Sequence, residues 1–96
     1  MPKVENGYLH LYAEAFPLES VRWYSWLMAH KAFYFQSPIG TFTARKEIRR
    51  EQWYWYAYRK DGKKSHNMYL GRSQELTAAR LLEIAQQLTD KIEQSN

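Results

Sequence analysis

The chain has 96 residues, of which 45% are hydrophobic and 17% aromatic, a formal net charge of +4 and no cysteine. This length predicts one domain with a small core, and the absence of cysteine excludes a disulfide scaffold, thiolate catalysis and thiolate zinc sites. No apolar run approaches the ~20 residues of a membrane span and no signal peptide is recognisable, so we expect a cytoplasmic protein without a membrane partner.

The N-terminal third predicts an arm followed by a helix. Residues 1–16 show no long hydrophobic period, which suits an N-terminal arm over the core or a short edge strand. Pro17 fits the first turn of a helix, where its missing N–H costs nothing. Apolar residues then recur every three or four positions, which predicts a helix over residues 17–31 with Trp23 and Trp26 packed in the core.

Residues 33–71 are predicted to form antiparallel strands joined by tight turns. Pro38 and Gly40 mark the first turn, and the pair Asp61-Gly62 marks a hairpin between two strand-like segments. Successive side chains of a strand point to opposite faces. We therefore expect one face to carry Phe42, Ala44, Lys46 and Ile48, and the other to carry Thr41, Thr43, Arg45, Glu47 and Arg49.

The last predicted element is a helix over residues 77–93. Thr77 is a suitable N-cap, because its hydroxyl accepts a hydrogen bond from a free amide of the first turn. The helical period predicts a core-facing stripe made of Ala78, Leu81, Leu82, Ala85, Leu88 and Ile92.

These elements predict an α+β fold in a single domain over residues 1–96. We expect a three- to four-stranded antiparallel sheet with the C-terminal helix packed on one face. The additional N-terminal helix then covers an edge of the sheet or shares that face. In the strand-like segment 53–59, alternation places Trp55 and Ala57 toward the helix and the tyrosines toward the opposite face.

The positive charge is concentrated in the central third of the chain. Residues 41–72 carry nine basic and three acidic residues, whereas the flanking segments are neutral or acidic. Basic groups interleaved with aromatic rings favour a polyanion-binding surface over a merely solvated basic face. A sheet ribbon is narrow enough for the major groove of DNA, with lysines and arginines at its rims on the phosphates.

The sequence therefore predicts double-stranded DNA as the partner. The candidate nucleic-acid-binding residues are Arg45, Lys46, Arg49, Arg50, Tyr54, Tyr56, Tyr58, Arg59, Lys60, Lys63, Lys64 and Arg72. Two other binding functions stay open. Tyrosines also suit protein interfaces, so the same face would serve a homodimer or a protein partner, and rings also stack on the bases of RNA or single strands.

Enzymatic function is not expected. Ser65 and His66 are adjacent in the chain, so on a strand they point to opposite faces and do not form a nucleophile–base pair. The sequence has no paired carboxylates, no phosphate-binding glycine loop and no metal-ligand spacing. We expect no catalytic residue, no metal, no cofactor and no small-molecule substrate.

Several runs of the sequence resemble a module of bacterial LuxR-type transcriptional regulators. These runs are WYWYAYR at 53–59, YLGRS at 69–73, FTARKE at 42–47 and WYSWL at 23–27. The module lies at the N-terminal end of large ATP-dependent members, and the resemblance spans residues 20–90. It implies a role in transcription regulation in a bacterium.

A looser likeness is to the N-terminal arm-binding domains of tyrosine recombinases. Those domains share a Trp-containing strand, a basic Asp-Gly-Lys turn, a strand ending in Leu-Gly or Phe-Gly, and a helix. The likeness implies a small sheet that binds DNA. The chain has no counterpart of an ATPase, a helix-turn-helix output domain or a recombinase catalytic domain, so we expect DNA binding rather than transcriptional activation itself.

Overall fold

Seven strands and two α-helices make up the fold in the computed structural model, which describes residues 1–95; Asn96 lies outside the described residues. The strands are β1 (Lys3–Glu5), β2 (Tyr8–His10), β3 (Ala15–Pro17), β4 (Ala32–Ser37), β5 (Gly40–Arg49), β6 (Gln52–Asp61) and β7 (Lys64–Gly71). The helices are α1 (Val21–Ala29) and α2 (Ala78–Ser95), with a short 3-10 helix at Ser73–Glu75. Neither α-helix of this described part has the length and apolar character that a bilayer crossing requires.

The strands form one mixed sheet in the order β3-β2-β1-β4-β5-β6-β7. β1 and β4 are parallel, and the other neighbouring strands are antiparallel. The prediction of a three- to four-stranded antiparallel sheet is therefore wrong. Segment 1–16, predicted as an arm or an edge strand, contains β1, β2 and the start of β3. Three-residue strands are too short to show alternation in the sequence, and only their pairing reveals them.

The first helix begins later than the sequence suggested, and it follows three strands. Pro17 ends β3 at the sheet edge, where a residue without an N–H is tolerated. Ser20 is the N-cap of α1, and its hydroxyl accepts a hydrogen bond of 3.2 Å from the Trp23 amide. Of the two positions left open for this helix, the structure has the one on the same face as α2, since Trp23 packs on the buried Phe33 ring and its indole donates to Leu76 O, just before α2, at 2.8 Å.

The core lies between the two helices and one face of the sheet. The Phe33 ring is 5.4 Å from Trp23 and 5.3 Å from Trp55, and all three side chains are fully buried. Ala57 is also fully buried, beside Trp55 on β6. The predicted inward direction of Trp55 and Ala57 and the core position of Trp23 are thus confirmed, with Trp26 also buried.

Helix α2 confirms the predicted cap and corrects the predicted stripe. Thr77 Oγ1 accepts from the Arg80 amide at 3.1 Å. Leu82 was expected in the core, but it is 42% exposed, whereas Ile84 is 2% exposed. At about 100° per residue, Ile84 lies ~60° from Leu81 around the helix and Leu82 lies ~100° away, so Ile84 is nearer the centre of the buried face.

Two tight hairpins join the long strands. The predicted turn between β6 and β7 is confirmed, because Asp61 pairs with Lys64 across Gly62, whose φ is +62°. The turn between β5 and β6 is unusual, since Arg50 and Glu51 have φ values of +50° and +68° without being glycines. This second turn places two consecutive charged residues at the end of the β5–β6 hairpin.

Candidate nucleic-acid interface

The sheet has a second face that neither helix covers, and we call it the open face. On β6 it carries Tyr54, Tyr56 and Tyr58, which alternate with the buried Trp55 and Ala57. Strand pairing extends the face to both neighbouring strands, and its other central residues are Arg45, Glu47 and Arg49 on β5, Lys60 on β6 and Tyr69 on β7. The predicted outward direction of the three β6 tyrosines is confirmed.

Three tyrosines of the open face form a ring cluster. Tyr69 lies 6.0 Å from Tyr54 and 5.6 Å from Tyr56, measured between ring centroids. Tilted and edge-to-face pairs at such distances are favourable beyond their buried area. Burial raises the pKa of Tyr69, and the neighbouring Glu75 carboxylate raises it further. The Tyr69 hydroxyl is therefore protonated at neutral pH and can donate a hydrogen bond.

Two arginines lie on the rings of this cluster. The Arg49 guanidinium is 5.4 Å from the centroid of Tyr56, and the Arg72 guanidinium is 6.0 Å from that of Tyr54. Arg72 is also held by a hydrogen bond of 2.7 Å to Gln52 Oε1. A guanidinium over a ring is attracted to its π face while its N–H donors stay in the guanidinium plane. The tyrosines therefore hold two cations on the open face.

Glu47 is the acidic residue among these cations, and its carboxylate is already partnered. Arg49 Nη2 donates to Glu47 Oε1 at 2.7 Å, and the Tyr58 hydroxyl donates to Glu47 Oε2. The first bond lies within β5, and the second links β6 to β5 through side chains. The carboxylate offsets part of the local positive charge, and Arg45, Arg72 and Lys60 add cations beyond that pair.

Two predicted site residues lie on the helix-covered face instead. Lys46 Nζ donates to Leu27 O at 2.6 Å and to Met28 O at 3.2 Å, which caps the C-terminal end of α1. Burial lowers the pKa of Lys46, and neighbouring Lys31 lowers it further. Arg59 donates from Nη1 to Thr89 Oγ1 of α2 at 2.9 Å. Strand alternation explains both positions, and neither residue belongs to the open face, although both are in the predicted nucleic-acid-binding set.

The remaining predicted residues lie at the ends of the hairpins. Arg50 is exposed in the β5–β6 turn, Lys63 is exposed in the β6–β7 turn, and Lys64 is exposed at the first position of β7. A ten-residue strand such as β6 is about 33 Å long, so these two sets of cations are separated by roughly that distance. Arg45, opposite Tyr56, lies between them.

Sequence reasoning missed Tyr34 as a member of the open face. It lies on β4 between the buried Phe33 and Phe35, and it pairs with Thr43 of β5. The signal was present, because a tyrosine between two inward phenylalanines points outward by alternation. Tyr69 is also absent from the candidate set, although its ring lies beside those of Tyr54 and Tyr56.

A cleft on the helix side of the sheet lacks the basic character of the open face. Its volume is about 540 Å³, and it lies between the β1–β2 turn, the end of β4 and the first turns of α2. Leu18, Phe35, Pro38 and Leu82 give it a largely apolar lining, and no basic side chain among the described residues lines it. It therefore does not extend the candidate interface.

Comparison of the chain with protein-family models, with curated proteins and with solved structures gives no match. The likeness to LuxR-type regulators and to recombinase arm-binding domains thus stays a prediction from the sequence. Residues 1–95 contain no group of three or more acidic or histidine side chains placed to hold a metal ion.

Proposed function

We propose that this protein binds double-stranded DNA through the open face of β5, β6 and β7. The observation that carries the proposal is the set of arginines held on tyrosine rings on the side of the sheet that no helix covers. Cations fixed in this way suit phosphate oxygens, and phosphate contacts supply most of the affinity of DNA-binding proteins.

The distribution of cations supports a long anion rather than a small one. Arg49, Arg50 and Arg72 lie near one end of the long strands, and Lys60 and Lys63 lie near the other. A single small anion does not span the ~30 Å between them, whereas the phosphates of a nucleic acid are spread over such a length.

The shape of the β5–β6 hairpin supports a duplex. Its Ile48 and Trp53 face the helix side but are 54% and 43% exposed, so the hairpin end projects beyond the helices. A projecting two-stranded ribbon fits the major groove, which is roughly 12 Å wide. Arg49 and Arg50 at its end would then contact the phosphates along the groove.

The biological setting belongs to the same proposal. We propose a cytoplasmic bacterial protein that acts by binding and not by catalysis, with a role in transcription regulation or in mobile elements. The resemblance to regulator and recombinase modules supports this setting, and so does the absence of cysteine.

Two matched arginines give a sharp test. Arg49 and Arg22 each form an ion pair of 2.7 Å with a glutamate, their side chains are 58% and 60% exposed, and each guanidinium lies over an aromatic ring. Only Arg49 is on the open face; Arg22 is on α1. We expect Arg49→Gln to weaken duplex binding and to reduce the slope of log K against log salt by about 1, whereas Arg22→Gln leaves both unchanged.

Fluorescence anisotropy with a labelled duplex over a salt series provides the measurement, with a single strand and a structured RNA of the same length as parallel probes. Absence of binding at low salt, or equal effects of the two substitutions, would contradict the proposal. Tighter binding of the RNA or the single strand would assign the open face to that ligand instead.

A further inference from the structure

Two tyrosines of the open face flank a small residue. Tyr34 of β4 and Tyr58 of β6 lie on either side of Thr43 of β5 in one row across the sheet. Neighbouring strands are ~4.8 Å apart, so the two tyrosine positions are separated by about 9.6 Å. Threonine is too short to fill the space between two tyrosine rings, and the row therefore has a slot at its centre.

The slot differs from the neighbouring ring cluster. Tyr54 and Tyr56 each contact Tyr69, whereas Tyr34 and Tyr58 make no ring–ring contact with any residue of the described part of the chain. Both rings are half-buried and line a depression of about 490 Å³. That volume is within the range of ~300–1,000 Å³ that is usual for small-ligand sites.

The lining of the depression combines aromatic rings with hydroxyl groups and cations. The hydroxyl side chains are Thr41, Thr43 and Ser65, and the cations are Arg45, Arg59 and Lys60. The Tyr58 hydroxyl donates to Glu47, four residues along β5 from Thr43, so this ring leans along the strand toward the β5–β6 turn. The site thus offers aromatic rings, hydroxyl groups and cations to one ligand.

A nucleotide matches this combination. Tyrosine rings provide stacking surfaces for a planar base, and the separation of about 9.6 Å between the two strand positions leaves room for one between them. The cations would bind the phosphates on either side of it. A base in a regular duplex is paired and stacked, and does not reach such a slot without being extruded.

We propose that the slot between Tyr34 and Tyr58 binds one unpaired nucleobase of a DNA strand. The inference rests on the proposed DNA-binding function and makes it more specific, because the protein then prefers a duplex that contains an unpaired nucleotide. Stacking of one base on aromatic side chains is worth about a fivefold to hundredfold gain in affinity.

The test compares two labelled duplexes of the same sequence, one fully paired and one with a single unpaired nucleotide at its centre. We expect the parent protein to bind the second duplex at least about fivefold more tightly. Tyr34→Leu should reduce that affinity to the level of the paired duplex, so that the preference is lost. Tyr8→Leu, which removes another exposed open-face tyrosine outside the slot, should preserve the preference.

A second variant and a second readout distinguish loss of the slot from a folding defect. Thr43→Phe keeps both walls but fills the slot, and it should abolish the preference in the same way. A fluorescent adenine analogue at the unpaired position should be quenched on binding to the parent and not to either slot variant. Circular dichroism of each variant verifies that it is folded.

Each outcome separates this inference from the proposed function. Equal affinity of the parent for both duplexes would overturn the slot and leave DNA binding in place, and a Tyr34→Leu variant that keeps the preference would also overturn it. Failure to bind either duplex at low salt would instead remove DNA binding, and the slot inference with it.

Discussion

The two faces of the central sheet carry side chains from the same strands but use them differently. On the helix-covered face, Phe33, Trp55 and Ala57 are fully buried and touch the helices or one another. On the open face, Tyr54 and Tyr56 are half-buried and lie under arginines. Burial of apolar area accounts for the first set, whereas exposed rings and charges contribute little to stability.

Neighbouring residues make the contrast clearest. Arg45 and Lys46 are consecutive cations, yet Arg45 is exposed beside Tyr56 and Lys46 caps the carbonyls of α1. A basic residue in this chain therefore has two distinct uses, and the face of the strand decides between them. Substitutions of consecutive residues test this division directly.

The largest expected effect separates Trp55 from Tyr56. Trp55→Ala should lower the free energy of unfolding by about 3–5 kcal/mol, because its ring is fully buried and its indole donates to Ser73 Oγ. That is a large part of the ~5–15 kcal/mol that stabilises a typical domain. Tyr56→Ala should cost only about 1 kcal/mol and should weaken DNA binding. Urea unfolding and anisotropy measure the two effects.

Sedimentation of Tyr56→Ala beside the parent provides the control. We expect no change in oligomeric state, because the cations around Tyr56 are unlike the core of a protein interface, which is depleted in lysine and other charges. A dimeric parent and a monomeric variant would show that the tyrosines form a subunit interface, and would contradict the assignment to DNA.

A smaller effect separates Lys46 from Arg45. Lys46→Met should lower the free energy of unfolding by about 1 kcal/mol, because two carbonyls at the end of α1 lose their donor, and it should leave DNA affinity unchanged. Arg45→Met should do the reverse, with a salt slope reduced by about 1. The opposite pattern in thermal melts and anisotropy would place the interface on the helix side.

The contribution of Lys46 to stability depends on pH. Since burial and Lys31 lower the pKa of Lys46, its charged form is disfavoured in the folded state. Stability then rises with pH between the folded pKa and the ordinary lysine pKa, because the unfolded chain binds more protons there. We expect the stability gap between the parent and Lys46→Met to widen in this alkaline range. A constant gap would show that the pKa of Lys46 is not lowered.

The smallest expected effect concerns the turn between β5 and β6. Glu51 has a φ of +68°, which costs a non-glycine residue about 1–2 kcal/mol. Glu51→Gly should therefore be about 0.5–1 kcal/mol more stable than Glu51→Ala, after the entropy cost of glycine is included. Both variants lose the same charge, so a thermal melt of the two compares the backbone effects of glycine and alanine. Equal stability would show that the turn is not strained.

Local rules predicted the features that depend on a few consecutive residues. The direction of Trp55, Ala57 and the β6 tyrosines follows from alternation, since a strand presents successive side chains to opposite faces. The Thr77 cap and the turn at Gly62 follow from side-chain and backbone preferences of single residues. Each of these properties is set within one strand, one turn or one helix end.

The errors arose where distant segments meet. Val4 of β1 pairs with Phe35 of β4 in parallel, and no pattern within either segment predicts that contact. Leu82 and Ile84 both fit an amphipathic helix, and only the position of α2 on the sheet decides which one is buried.

For the candidate interface, the sequence by itself determined the composition and the alternation: tyrosines on one side of β6, tryptophan and alanine on the other, and basic residues concentrated in the same third of the chain. Tertiary structure decided which cations share the open face with those tyrosines. It added Tyr34 and Tyr69 and removed Lys46 and Arg59. The reason is that strand alternation is a local property of the chain, whereas strand order and helix coverage depend on contacts between residues far apart in it.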